Sequence, residues 1–154
     1  MGLDMYLKAN RYLSSYRDDE AELAEKVRQH FPELADVVTR YEKSPIKEVS
    51  AEIGYWRKAN AIHKWFVDNV QEGEDDCRSY YVDRKKLQEL KEICERVRDS
   101  RHLAVSQLPT ASGFFFGGTE YDEWYFQDVE DTIKIIDQAL SLPDVWDIEY
   151  RASW

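Results

Sequence analysis

The stretch EIGYWRKANAIHKWFVDNV, Glu52 to Val70, is the helix-length run around which we expect the rest of the chain to be organised. Apolar residues fall on nearly every side when it is drawn as a helix. A single stripe at alternating spacings of four and three contains Val49, Ile53, Trp56, Asn60, His63, Val67 and Val70. A helix that is apolar almost all round is expected at the centre of a domain. We therefore predict a central buried helix over about residues 50–70.

Several polar side chains interrupt this apolar stretch, namely Arg57, Asn60, His63 and Lys64. Burying them is costly unless each is paired. In a helix, Trp56, Asn60 and His63 share one face, and Arg57 and Lys64 share an adjoining one. Such a set suits a nucleotide, with the base on the tryptophan and the phosphate on the cations. The alternative is that these groups satisfy one another and the backbone inside a core.

A second unusual segment is PTASGFFFGGT, Pro109 to Thr119, in which glycines flank three phenylalanines. We interpret it as a loop or short strand whose rings insert into the core or form the wall of a pocket. A ligand site between the central helix and this loop would contain Trp56, Arg57, Asn60, His63, Lys64, Phe114, Phe115 and Phe116. If the protein were an enzyme acting on a nucleotide or phosphate ester, His63 would be its general acid or base.

The remaining pattern predicts an α+β fold in one domain, residues 1–154. Alternation around Met5 and around Ile148 predicts a strand at each terminus, and we expect these two strands to pair. The Tyr80 segment predicts a third strand of a small antiparallel sheet. Around the central helix we expect three or four further helices, with candidates at Asp18 or Asp19 to His30, Glu33 to Lys43, Asp83 to Asp99 and Glu120 to Ser141.

Charge and composition limit the class of protein. The chain has 31 acidic and 21 basic residues, a formal charge of −10, which disfavours direct binding to nucleic acid. No apolar run is long enough for a membrane span and no signal peptide is evident, so we expect a cytoplasmic protein. Cys77 and Cys94 lack paired spacing and predict free thiols. The oligomeric state stays open, and a homo-oligomer is one option.

Acidic residues form two further groups that bear on function. His63, Asp75, Asp76 and Cys77 lack the spacing of a metal site, so we predict no metal and no cofactor. The acidic face of the helix from Glu120, with Glu123, Asp128 and Asp131, suggests docking on the basic surface of a host nucleic-acid-binding or defence enzyme. The plainer interpretation is a solvated helix face.

Five segments together resemble one protein family: MGLDMYL at residues 1–7, EIGYWRKANAIHKWFVDNVQ at 52–71, DDC…YYV at 75–82, LPTASGFFFGGTEYDEWYFQD at 108–128 and YRASW at 150–154. They are similar to a family of small proteins from phage and bacterial genomes. These motifs mark the family and imply no particular reaction. The phage association implies an accessory role towards the host, of which counter-defence is a leading kind. Our leading hypothesis is a non-catalytic protein that sequesters a small nucleotide-like ligand.

Overall fold

The computed structural model describes residues 2–40 and 44–154. Its elements follow the order β1 (Asp4–Tyr12), α1 (Asp18–Arg28), β2 (Glu48–Arg57), α2 (Asn60–Asn69), β3 (Tyr80–Tyr81), α3 (Arg84–Asp99), α4 (Ala104–Gln107), α5 (Glu123–Ser141) and β4 (Asp147–Ser153). Short 3₁₀ turns lie at Pro32–Leu34 and Arg101–Leu103. The predicted α+β class is confirmed. No helix in the described ranges is both long and apolar enough to cross a bilayer.

The four strands form one antiparallel sheet in the order β2-β1-β4-β3. The neighbouring positions of β1 and β4 confirm the predicted pairing of the two terminal strands. In β3, Tyr80 lies opposite Tyr150 and Tyr81 opposite Glu149. Burial alternates along β1 and again along β4, where Ile148 and Tyr150 are buried and Glu149 between them is half-buried. This period of two is what the terminal sequences predicted.

The prediction of one helix over residues 50–70 is wrong in its first half, where the chain forms β2. Burial there alternates along the strand: Gly54 and Trp56 are buried, and Tyr55 and Arg57 are exposed. A β-carbon at Gly54 would lie 2.3 Å from a methyl carbon of Ile135 in α5, so this strand needs glycine to approach the helix. The second half of the prediction is confirmed, since α2 occupies Asn60–Asn69.

The helices α3 and α5 match their predictions and begin at side-chain caps. Asp83 accepts a hydrogen bond from the Lys85 amide, and Asp122 accepts one from the Tyr125 amide. The predicted helix from Glu33 to Lys43 is wrong where it can be checked, because only the 3₁₀ turn at Pro32–Leu34 forms. The rest of that prediction, residues 41–43, lies outside the described residues.

The contacts divide the chain into two units, and the division falls within β1 and β2. The first unit contains Glu52–Trp154 together with the start of the chain up to Ala9. Its core lies around Phe66 and Tyr150, whose rings stack with centroids 3.8 Å apart. The second unit is Asn10–Ala51, in which Leu13 and Ala24 are buried. That the whole chain is a single domain stays a prediction.

Candidate functional site

The turn between β2 and α2 places the start of a helix beside two cations. Lys58 has a positive φ of 58°, and α2 begins two residues later at Asn60. The first amides of a helix have no intrahelical partner and carry partial positive charge. No side chain caps them here, because the residue at the cap position is Ala59, and the first turn contains no acidic residue. The side chains of this first turn therefore do not neutralise the positive potential of the helix end.

Asn60 connects the start of α2 to the segment Pro109 to Thr119, which we call the phenylalanine loop. The side chain is 4% exposed. Its amide nitrogen donates to the carbonyl oxygens of Phe116 at 3.0 Å and Gly118 at 2.8 Å. Its amide oxygen accepts from the backbone N–H of Ala111 at 3.0 Å. All three partners lie in one loop, so Asn60 holds that loop against the helix.

A cavity of about 290 Å³ opens at this helix end, and we call it the α2 cavity. It lies within the first unit. The residues around it come from the β2–α2 turn, the loop before α5, and the first turns of α5. They include Arg57, Lys58, Asn60, Gly118, Glu120, Asp122, Trp124, Tyr125 and Asp128. Basic groups are thus supplied by the β2–α2 turn and acidic groups by the segment around the start of α5.

The two cations of the α2 cavity, Arg57 and Lys58, form no ion pair with any residue in the described ranges. Lys58 also has the left-handed backbone conformation, which costs a residue other than glycine about 1 kcal/mol. Gly117 packs against it: a β-carbon there would lie 3.1 Å from the Lys58 β-carbon, and Gly117 itself has a φ of 84°. A charged side chain is therefore held where glycine would be less strained.

The acidic part of the cavity contains a carboxyl group with unusual proton affinity. Burial raises the pKa of Asp128 to about 7, and the neighbouring carboxylates of Asp131 and Asp122 add to the effect. Near neutral pH this carboxyl is therefore present in both its neutral and its charged form. Close by, the ring of Trp124 is 79% exposed, whereas Tyr125 is buried and donates its hydroxyl proton to the Leu108 carbonyl.

The structure separates the side chains that the sequence had grouped on one helix. Trp56 lies on β2, so it does not share a helix face with Asn60 and His63, and that prediction is wrong. Its ring is 3% exposed and its indole N–H donates to the Thr132 hydroxyl at 2.9 Å, which makes it a core residue. Lys64 pairs with Asp68 one turn along α2 and does not line the α2 cavity.

His63 is 1% exposed and belongs to a buried hydrogen-bonded chain. Its Nδ1 lies 2.7 Å from the Tyr150 hydroxyl and its Nε2 lies 2.8 Å from a carboxylate oxygen of Asp75. Burial lowers the pKa of His63, although the Asp75 carboxylate opposes that effect. The imidazole is satisfied at both nitrogens and does not line the α2 cavity. This arrangement matches the interpretation of His63 as a paired core residue.

The phenylalanine side chains of the loop differ in their exposure and packing. Phe114 is 94% exposed, so it does not insert into the core. The other interpretation of the loop, that it forms the wall of a pocket, fits a cavity that all three phenylalanines line. Phe116 packs edge-on against the His63 ring, with centroids 5.2 Å apart. All three phenylalanines line a second cavity, which shares no lining residue with the α2 cavity. The ligand-site residues predicted from sequence are therefore distributed between two cavities and the core.

The acidic face proposed for partner docking is partly neutralised. Glu123 forms two hydrogen bonds with the Arg101 guanidinium, at 2.7 and 3.3 Å. Asp131 accepts from Gln127 and pairs with Lys134. Asp128 is half-buried in the α2 cavity. These contacts favour the interpretation of a solvated helix face over that of a docking surface.

Sequence reasoning missed Lys58, Glu120, Asp122 and Trp124 as cavity residues. The available signal was the pair Arg57-Lys58 directly before a helix start, which becomes visible only if β2 is recognised. No group of three or more His, Cys, Asp or Glu side chains in residues 2–40 and 44–154 is arranged to hold a metal ion.

No family model, curated protein or solved structure matches this chain. The resemblance noted from the sequence therefore stays a prediction.

Proposed function

We propose that this protein binds a small nucleotide-like ligand in the α2 cavity and holds it without converting it. The observation that carries the proposal is the position of Arg57 and Lys58, unpaired within the described chain, at the uncapped start of α2. Backbone N–H groups at a helix start combined with nearby cations are suited to a phosphate group. The positive charge is local, since the chain as a whole carries a formal charge of −10.

The other side chains of the cavity suit the remainder of a nucleotide. Trp124 offers an exposed ring on which a base can stack. Glu120, Asp122 and Asp128 offer carboxyl groups to sugar hydroxyls or to base amino groups. A volume of about 290 Å³ lies at the lower end of the range for small-molecule sites. These features favour a mononucleotide or a compact cyclic nucleotide over a larger ligand.

The groups that would carry covalent chemistry support binding without turnover. His63 is buried and paired at both ring nitrogens. Cys94 is buried and the pKa of its thiol is raised to about 12 by burial, which removes it as a nucleophile. Neither residue lines the α2 cavity. Together with the resemblance to phage proteins, this supports sequestration of a host signalling nucleotide, a form of counter-defence.

Calorimetric titration with nucleoside monophosphates and cyclic nucleotides tests the proposal, with native mass spectrometry to detect ligand retained during purification. The informative variant is Lys58→Gly, because it removes the charge and also relieves the left-handed backbone. We expect it to weaken binding at least about tenfold, equivalent to about 1.4 kcal/mol, while the free energy of unfolding stays equal or rises by about 1 kcal/mol.

The matched control is Lys64→Gln, which removes one positive charge from the same segment outside the cavity and should leave affinity unchanged. Lys58→Asn provides a second test, since asparagine tolerates a positive φ and lacks the charge. Absence of binding for every nucleotide offered, or binding that survives both Lys58 variants, would refute the proposal.

A further inference from the structure

The second cavity, which we call the Phe cavity, is lined by Asp75, Ser112, Gly113, Phe114, Phe115, Phe116 and Trp154 and has a volume of about 270 Å³. It lies within the first unit and shares no lining residue with the α2 cavity. Four of its seven lining residues are aromatic, and the single charged one is the carboxylate of Asp75. The rings remain accessible from solvent, since Phe114 is 94% and Trp154 is 45% exposed.

The Asp75 carboxylate is held by one oxygen only. Oδ1 accepts from His63 Nε2 at 2.8 Å and from the Trp154 indole N–H at 3.1 Å. A carboxylate cannot donate, so His63 carries its proton on Nε2, and the Tyr150 hydroxyl then donates to Nδ1. The second oxygen, Oδ2, has no hydrogen-bond or ion-pair partner within residues 2–40 and 44–154. One carboxylate oxygen of this cavity-lining residue is thus fixed by two hydrogen bonds, and the other is held by none.

We propose that the Phe cavity binds an alkylated ammonium ion, with its methyl groups against the aromatic rings and its positive charge beside Asp75. The faces of aromatic rings attract cations, and quaternary ammonium groups are recognised by aromatic clusters of this kind. Among residues 2–40 and 44–154, no basic side chain lines the cavity, so these residues offer no partner to an anionic ligand. This site is independent of the proposed nucleotide site.

The geometry also selects among cations. A guanidinium ion is best held by two carboxylate oxygens in a forked arrangement, but Oδ1 of Asp75 is already occupied twice. A small metal ion needs several oxygen ligands, and the cavity has one carboxylate among aromatic rings. An ammonium carrying methyl groups needs only apolar surface and one nearby negative charge. Choline and free trimethylated lysine share this chemistry.

The experiment is an NMR titration of the whole chain with choline chloride at constant ionic strength, following the indole N–H signal of Trp154. The signal is assigned by its absence in Trp154→Phe. The neutral isostere 3,3-dimethylbutan-1-ol, in which a carbon replaces the nitrogen, is titrated in parallel, and N-acetyl-trimethyllysine distinguishes the side-chain source from free choline. We expect saturable shifts with choline and at least about tenfold weaker binding of the neutral isostere.

The decisive variant is Asp75→Asn, because asparagine keeps an oxygen that accepts from both His63 and Trp154 while it loses the charge. Its affinity for choline should fall at least about tenfold. Glu72→Gln is the matched control: it removes one negative charge from the same turn without touching the cavity, and it should bind as the parent does. Retained folding of each variant is checked by circular dichroism.

Three results would each overturn the proposal: no saturable shift with choline, equal binding of the neutral isostere, or unchanged affinity in Asp75→Asn. If Asp75→Asn fails to fold, the comparison of choline with its isostere on the parent protein still decides. Nucleotide binding at the α2 cavity is measured on separate signals, so failure of one site is distinguishable from failure of the other.

Discussion

Replacing Asn60 tests whether the phenylalanine loop is held by a single side chain. Asn60→Ala removes two donors and one acceptor, and so leaves the carbonyls of Phe116 and Gly118 and the N–H of Ala111 without their partner. The loop should lose its fixed position against α2. Asn60→Asp keeps the acceptor for Ala111 but places a carboxylate oxygen against two carbonyl oxygens.

The magnitude follows from the three hydrogen bonds, which are 2.8 to 3.0 Å long. At a net value of about 1 kcal/mol each they sum to about 3 kcal/mol. Alanine returns about 0.5 kcal/mol through its higher helix propensity. We therefore expect Asn60→Ala to lower the free energy of unfolding by about 2.5 kcal/mol, which corresponds to about 5–10 °C in Tm for a chain of this size.

Asn60→Asp gives the sharper result, because two models predict opposite signs. If Asn60 were merely a residue in the first turn of a helix, an aspartate there would stabilise it by about 0.5 kcal/mol through the helix dipole. As a clamp, the variant should instead lose two hydrogen bonds, about 2 kcal/mol, and should lose further stability because its carboxylate oxygen faces two carbonyl oxygens. Urea unfolding followed by circular dichroism measures both variants, and amide exchange at Ala111 reports on the loop. Asn69→Ala, which loses one hydrogen bond near the helix end, is the control. Equal or higher stability of Asn60→Asp would refute the reasoning.

Three further predictions concern other parts of the first unit. Because the pKa of Asp128 is raised to about 7 in the fold from its ordinary value of 3.8, the folded state retains a proton that the unfolded chain releases, so stability falls as pH rises through this window. Between pH 5 and pH 8 the free energy of unfolding, measured with urea, should fall by about 1–2 kcal/mol more in the parent than in Asp128→Asn. Gly54→Ala should cost about 1–3 kcal/mol, because its β-carbon meets Ile135, and Ile135→Ala in the same chain should recover part of that loss in a double-mutant cycle. Iodoacetamide at pH 8 should alkylate exposed Cys77 and leave buried Cys94 unmodified, giving one adduct by mass spectrometry in the native protein and two after denaturation.

The elements that could be predicted from the sequence were those whose apolar residues recur with a single clear period, either that of a helix or that of a strand. α5 has a continuous apolar stripe and an aspartate cap, and β4 alternates over its whole length. The segment before α2 was ambiguous, because apolar residues around Ile53 and Trp56 fit a helical period as well as a strand period. What decides in favour of β2 is nonlocal: it pairs with β1, and Gly54 lets it approach Ile135. No pattern within the segment contains that information.

The candidate site was predictable only in part, and for the same reason. Asn60 and His63 stood out because polar groups in an apolar run must be paired, and both are indeed fully paired. Their partners come from the loop and from β4, which sequence spacing does not reveal. The role proposed for Lys58 depends on the positive φ of that residue, and the role proposed for Trp124 depends on the exposure of its ring. Both are properties of the folded chain.

The two cavities border the same loop, and Asn60 is the residue that fixes it between them. Gly117 and Gly118 line the α2 cavity, while Phe114 to Phe116 line the Phe cavity. Loss of Asn60 should therefore weaken both proposed sites, whereas Lys58→Gly affects only the first and Asp75→Asn only the second. If a nucleotide at the first site orders the loop, the affinity of the second site for its ligand must change. By thermodynamic linkage, the ligand of the second site then changes the affinity for the nucleotide by the same factor. If the two affinities prove independent although the loop is shared, Asn60 already orders the loop fully before either ligand binds.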